Sequence, residues 1–187
     1  MRFVIGLGTG RCGTTSLAHL LGRQPGATIR HEDAPPLPWP DAEGGYGRAL
    51  RWLKAKPGPV AGDVAHAWLS ALPRLAHDLP VSCVALWRPV EPTVESFLRH
   101  LPDTYIQSDG PPGARQFPTY DRPPRDGWRR YVEAYHRRLR HLKAAGHVTV
   151  LPMVALNSRA GQRRILRAAG FPDGRHVYVA ACHRNAS

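Results

Sequence analysis

The chain has 187 residues, 42% of them hydrophobic, which suits one domain with its own core. No segment approaches the roughly 20 apolar residues of a membrane span. Lys and Arg outnumber Asp and Glu by 26 to 14, a formal net charge of +12 that favours an anionic partner, yet the basic residues form no DNA- or RNA-binding motif, so nucleic acid is not expected.

The elements follow in chain order. Phe3 to Leu7 is a short apolar run suited to a buried parallel strand. Gly8, Gly10 and Gly13 then allow a tight turn and close approach of backbone to a ligand. Thr14, Thr15 and Ser16 open a helix that runs to about Arg23. Gln24-Pro25-Gly26 is a turn, and Ala27 to Arg30 a second strand with His31-Glu32-Asp33 at its carboxyl end. The proline-rich stretch Pro35 to Pro40 is irregular. A helix over Glu43 to Lys56 ends at Pro57-Gly58-Pro59.

Val60 to Val64 is a third strand, ending around Asp63. Ala65 to Asp78 has helical spacing, with a break or kink expected at Pro73. Val81 to Trp87 is a fourth strand, followed by Arg88-Pro89 and a helix from Pro92 to His100. Residues 101–126, rich in Pro, Gly and Asp, read as a long loop or lid within the single domain of residues 1–187. Trp128, Tyr131, Val132, Tyr135, Leu139 and Leu142 form an apolar helical stripe. The arginines off that stripe are either a solvated face or a basic binding face. His136 and His141, five apart, read as separate surface histidines. Val148 to Leu151 is a last strand; Asn157 or Ser158 caps a helix that stops at Gly170. The tail from Val177 onward is weakly specified. Strand and helix alternate throughout, which predicts a three-layer α/β/α fold with a mainly parallel sheet.

The glycine-rich turn between the first strand and helix aims backbone N–H groups and the positive end of a helix dipole at one spot, an anion site. Its Gly8-to-Gly13 spacing is that of a Walker A loop, but Thr14 stands where a nucleotide triphosphatase carries Lys, and Arg11 lies inside the loop. Gly10-Arg11-Cys12-Gly13-Thr14-Thr15 resembles the 5′-phosphosulfate-binding loop of the sulfotransferases, which hold 3′-phosphoadenosine 5′-phosphosulfate (PAPS) on a P-loop-like fold. A second segment carries the same resemblance. Ala85-Leu86-Trp87-Arg88-Pro89, then a helix bearing Ser96, is similar to the family's 3′-phosphate site, with Arg and Ser eight positions apart.

The resemblance implies a PAPS-dependent sulfotransferase, with PAP as product, no metal, and a hydroxyl or amine acceptor on an unidentified small molecule or carbohydrate. It implies that Gly10, Arg11, Cys12, Gly13, Thr14 and Thr15 hold the 5′-phosphosulfate and that Arg88 and Ser96 hold the 3′-phosphate. Arg11, always charged, is expected to stabilise the leaving phosphate electrostatically. Glu32 resembles the family's catalytic glutamate after the second strand and ranks first as general base; Asp63 and then His66, after the third strand, are the alternatives. His31 is placed to assist or orient Glu32. Cys12 reads as a small loop residue, or as a reactive thiol at a helix N-terminus. Trp39, Trp68, Tyr120 and Trp128 are candidates for an acceptor pocket or for the core. Cys12, Cys83 and Cys182 are odd in number and widely spaced, giving no metal spacing or disulfide framework. With the first strand starting beside Met1 and no signal peptide, the expected location is cytoplasmic. The competing readings are a small P-loop kinase using ATP and Mg²⁺, and a non-catalytic nucleotide-binding protein on the same scaffold.

Overall fold

Phe3, Ile5 and Leu7 point to one side of the first strand and Val4 to the other, and both sides are buried. That two-sided burial is what an internal parallel strand requires. In the computed structural model, which describes residues 1–37, 43–101 and 124–180, this strand, β1 (Arg2–Leu7), is the centre of a five-stranded sheet. The others are β2 (Ala27–His31), β3 (Val60–Val64), β4 (Val81–Trp87) and β5 (Thr149–Pro152). All pairings are parallel and the order is β2-β3-β1-β4-β5.

Helices cover both faces. α1 (Thr14–Gly22) and the last helix, α6 (Arg159–Ala168), bury Leu17, Leu20, Leu21, Ile165 and Leu166 against Val4, Val84 and Leu86. α2 (Glu43–Lys54), α3 (Trp68–Asp78), α4 (Val90–His100) and α5 (Pro124–Ala144) pack on the other face, with Leu53, Leu72, Phe97 and Leu139 among the buried side chains. The result is the three-layer α/β/α arrangement the alternation predicts. Register aligns the carboxyl ends: Ile5 pairs with Asp63 on one side and Cys83 on the other. The connection after β1 leads toward β2 and that after β4 leads toward β5, so the crevice between β1 and β4 is the topological switch point, where open α/β sheets bind ligands.

Several expectations change in detail. α3 begins at Trp68 and runs through Pro73 without ending. α4 begins at Val90, earlier than Pro92, because a proline in the first helical turn forfeits only an N–H that has no partner there. Ser158 is the residue that caps α6, its Oγ accepting from the Gly161 N–H at 3.1 Å. Trp68 and Trp128 are fully buried in the core; Trp128 stacks on Phe97 at 4.1 Å between centroids. His136 is buried against Trp87, not on the surface, and burial, with help from Arg140, pushes its pKa down to about 4. Trp39, Tyr120, Cys182 and most of the 101–126 segment lie outside the described residues.

The start of the tail is more specified than its sequence suggests. Gln24 donates to the Val177 carbonyl at 2.7 Å and accepts from its N–H at 3.0 Å. Gln162 does the same for Val179, at 2.8 and 3.0 Å. Two carboxamides thus clasp an extended segment across α1 and α6. Among the described residues, no helix is long and apolar enough to cross a membrane.

Candidate active site

The loop between β1 and α1 winds through left-handed backbone at Gly10 (φ 83°), Arg11 (φ 51°) and Gly13 (φ 84°). For Arg11 that conformation costs about 1–2 kcal/mol, because its Cβ crowds the carbonyl. Two groups from the β4–α4 unit offset the cost. Arg88 donates from Nη1 to the Arg11 carbonyl at 2.8 Å, and Arg11 donates from Nε to Ser96 Oγ at 3.2 Å. Helix α5 supports the start of the same loop. The Gly8 N–H donates to Tyr135 Oη at 3.1 Å, and Tyr131 donates to the Thr9 carbonyl at 2.9 Å. A Cβ at Gly8 would lie 2.3 Å from Cys12 Sγ and 2.9 Å from Thr14 Cγ2, so any larger residue would have to displace the side chains of the loop.

The result is a cationic cradle. No side chain caps α1, whose first turn opens onto the loop. Thr15 is half-buried at its mouth and Thr14 is buried. Burial first, then the charges of Arg88 and Arg99, lower the pKa of Arg11; burial and Arg99 lower that of Arg88. Like charges held together with no carboxylate salt bridge among the described residues are suited to an anion. Cys12 is a buried packing residue. Burial, opposed by hydrogen bonds from Thr9 and Gly10, pushes its thiol up to about 11, so it is not the reactive thiolate of the alternative reading.

A carboxylate stands beside the cradle. Glu32, at the end of β2, is also left-handed (φ 50°). Its N–H donates to the Val64 carbonyl at 3.1 Å, and the next N–H, of Asp33, donates to Asp63 Oδ1 at 3.1 Å. Glu32 Oε1 lies 3.4 Å from Nδ1 of buried His66 and 4.0 Å from Nε2 of His31. The His31 Nε2 is also 3.0 Å from Thr14 Oγ1, which joins the carboxylate to the first turn of α1. The contact with His66, opposed by burial and helped by the charge of His31, holds the Glu32 carboxyl below the usual carboxylate range. With its side chain 40% exposed, it is an ionised carboxylate open to solvent.

Asp63 is different. It is fully buried, and its second oxygen, Oδ2, accepts from Trp68 Nε1 at 2.8 Å. Both oxygens are therefore committed to holding β2 and α3, and burial raises its pKa. Lys56 extends this framework: Nζ is 3.1 Å from Asp33 Oδ2 and 4.0 Å from the Trp52 ring centroid.

No protein-family model matches the chain, and no curated protein is similar to it in sequence. Solved structures are similar in shape. A sulfotransferase from Alicyclobacillus acidocaldarius superposes with a TM-score of 0.58 at 17% identity, over 94% of this chain and 83% of that one. The mouse sulfotransferase SULT7A1, solved in complex with PAP, superposes with a TM-score of 0.50 at 13% identity, over 91% of this chain. The chain has the sulfotransferase fold. It spans 59% of the length of the mouse protein.

Within this sulfotransferase fold, the residues singled out from sequence gather at the carboxyl ends of the strands. Gly10, Arg11, Cys12, Gly13, Thr14 and Thr15 form the loop and the helix start. Arg88 and Ser96 reach that loop directly. Glu32 and His66 meet each other, while Asp63 stands behind them, buried. Sequence reasoning missed Tyr131 and Tyr135, because tyrosines on an apolar stripe read as core, and they are core as well as loop supports.

Proposed function

We propose that the protein is a sulfotransferase that moves a sulfuryl group from PAPS to a hydroxyl or amine of an acceptor. The observation that carries this reading is the meeting of two anion-binding segments: Arg11 in the glycine loop bonds Ser96, and Arg88 bonds the Arg11 backbone. They are 77 and 85 residues apart in sequence, and a donor phosphorylated at both 3′ and 5′ positions needs two such cationic points at one crevice.

In this reading the 5′-phosphosulfate takes the loop N–H groups, Arg11 and the first turn of α1, and the 3′-phosphate takes Arg88 and Ser96. Glu32 accepts the proton of the acceptor O–H or N–H. The acceptor atom bonds to sulfur, the bond from sulfur to the bridging phosphate oxygen breaks, and Arg11 stabilises the charge left on the phosphate. His66 and His31 orient Glu32, and Asp63 positions the segment that carries it.

Calorimetric titration with 3′-phosphoadenosine 5′-phosphate, beside ATP with Mg²⁺, tests the proposal. The expected result is binding of the bisphosphate that is lost in Arg88→Ala, followed by acceptor-dependent turnover of PAPS. Binding of ATP–Mg²⁺ alone would replace it with the kinase reading, and binding of neither with a non-catalytic scaffold.

A further inference from the structure

Helix α6 carries Arg159, Arg163, Arg164 and Arg167 and no acidic residue. Gln162, Ile165 and Leu166 are buried, while Arg159, Arg163 and Arg167, at successive steps of four, share an exposed face. The start of the tail lies against that face. Gln24 clasps Val177 and Gln162 clasps Val179, which fixes the residue between them, Tyr178, beside the arginines. Arg163 donates from Nε to Tyr178 Oη at 3.3 Å, and the Arg159 guanidinium lies 4.7 Å from the centre of the same ring. Between helix and tail is an open cleft of about 330 Å³, lined by these three residues with Arg167, Asp173 and His176. It shares no residue with the glycine loop, Arg88 or Ser96.

The charges of the cleft do not balance. Its carboxylate, Asp173, is held by Arg167 through Nε and Nη2 at 2.9 and 2.6 Å, and its charge also reaches His176 and Arg163. Arg159 and Arg163 form no carboxylate salt bridge among the described residues. Three guanidinium groups therefore face one carboxylate. The phenol feels that surplus: the hydrogen bond from Arg163, opposed by burial and helped by Arg159, holds the Tyr178 hydroxyl below its ordinary range.

We propose that this cleft is a second anion site, which takes a phosphate or sulfate group, either free or as the monoester of a small molecule. The inference is independent of the PAPS reading. A tetrahedral oxyanion offers several acceptor oxygens, which planar guanidinium forks match in pairs. Arg163 commits Nε to Tyr178 and leaves its two Nη groups for such a ligand, and Arg159 adds a second fork beside the same phenol. Ordinary ligand pockets span about 300–1,000 Å³, so the cleft has room for the body of a monoester as well as its charged group. An occupant would touch both α6 and the clasped tail and fasten one to the other.

The test is calorimetry at fixed ionic strength in chloride, with inorganic phosphate and glycerol 3-phosphate as probes. The proteins are wild type, Arg159→Met, Arg163→Met, Arg164→Met and Arg88→Ala. Arg159→Met and Arg163→Met are each expected to weaken phosphate binding about tenfold. Arg164→Met, which removes the same charge from the same helix but not from the cleft, should weaken it less than about twofold. Phosphate should also raise the thermal midpoint of wild type and not that of Arg163→Met. Tighter binding of glycerol 3-phosphate than of phosphate supports the site as one for a monoester; equal binding supports it as one for the free anion. Equal loss in all three α6 variants, or no saturable binding to wild type, overturns the proposal. So does binding that survives Arg159→Met and Arg163→Met but is lost in Arg88→Ala, since the anion then sits at the glycine loop. The three α6 arginines are exposed, so unfolding of their variants without phosphate should match wild type.

Discussion

Glu32 combines three properties that seldom coincide in one side chain: a left-handed backbone, an ionised carboxylate and a histidine on either side. Strain of that kind persists where surrounding contacts over-determine it, and here the over-determination is explicit in the bonds from Val64 and Asp63. As the base, Glu32→Gln should lower turnover roughly 10²-fold or more while bisphosphate binding stays intact, a separation that steady-state kinetics beside calorimetry would resolve. The pH dependence follows from the depressed pKa. The Glu32 carboxylate stays charged as pH falls past the ordinary carboxylate range, so activity and its share of stability are retained above that range and lost as pH falls through its own lower value. His66→Leu removes the main cause of the depression and leaves burial, which acts the other way. The acid limb of the pH–rate profile should therefore move to higher pH. Asp63→Asn tests positioning. Both Asp63 oxygens accept hydrogen bonds, whereas an amide offers one acceptor and one donor. The expected cost is about 1–3 kcal/mol in denaturant unfolding, with turnover reduced and bisphosphate affinity held.

At the scale of elements, close backbone approach decides where the donor loop can sit. The 3-10 turn Met153–Asn157 packs under the loop: a Cβ on Gly13 would come 2.9 Å from Leu156 Cδ1 and 3.3 Å from Met153 Cγ. That turn is in turn seated on α6, where a Cβ at Gly161 would fall 2.1 Å from the Ala155 carbonyl oxygen. Gly161→Ala should destabilise the fold by about 1–3 kcal/mol in chemical denaturation, since backbone must shift to admit the methyl. Gly47→Ala, exposed on α2 with only Arg51 Nη1 at 3.8 Å, should instead stabilise by roughly 0.5–1 kcal/mol through helix propensity. Elements were legible in the sequence where one periodicity governed them. β4 matches its apolar run residue for residue, and the Arg88-to-Ser96 spacing carried its meaning because a strand end and a short helix fix eight residues locally. The clasp of the tail was not legible. Gln24 and Gln162 bond backbone groups, which have no side-chain signature, across 153 and 17 residues of chain. Of the break or kink expected at Pro73, the break does not occur: the proline's penalty is local, while α3 is held by the burial of Trp68, Leu69, Leu72 and Leu75.

For the whole molecule, the net charge of +12 and the pair Arg11 and Arg88 at the glycine loop act in the same direction. An anionic ligand is drawn in over distances set by ionic strength and then meets Arg11 and Arg88, which form no carboxylate salt bridge among the described residues. The molecule also has a direction in time. The glycine loop leaves the ribosome before the groups that prop it: Arg88 and Ser96, then Tyr131 and Tyr135, and last the turn that holds Leu156. Closing such distant contacts is slow and is not rewarded until the later partners exist. A nascent chain released at residue 123 has the loop, Arg88 and Ser96, but neither tyrosine nor the strand that flanks β4. It is expected to bind no bisphosphate and to resist no more protease than an unfolded chain, both measurable on the purified fragment. A motif translated before its supports is in this sense finished only after them.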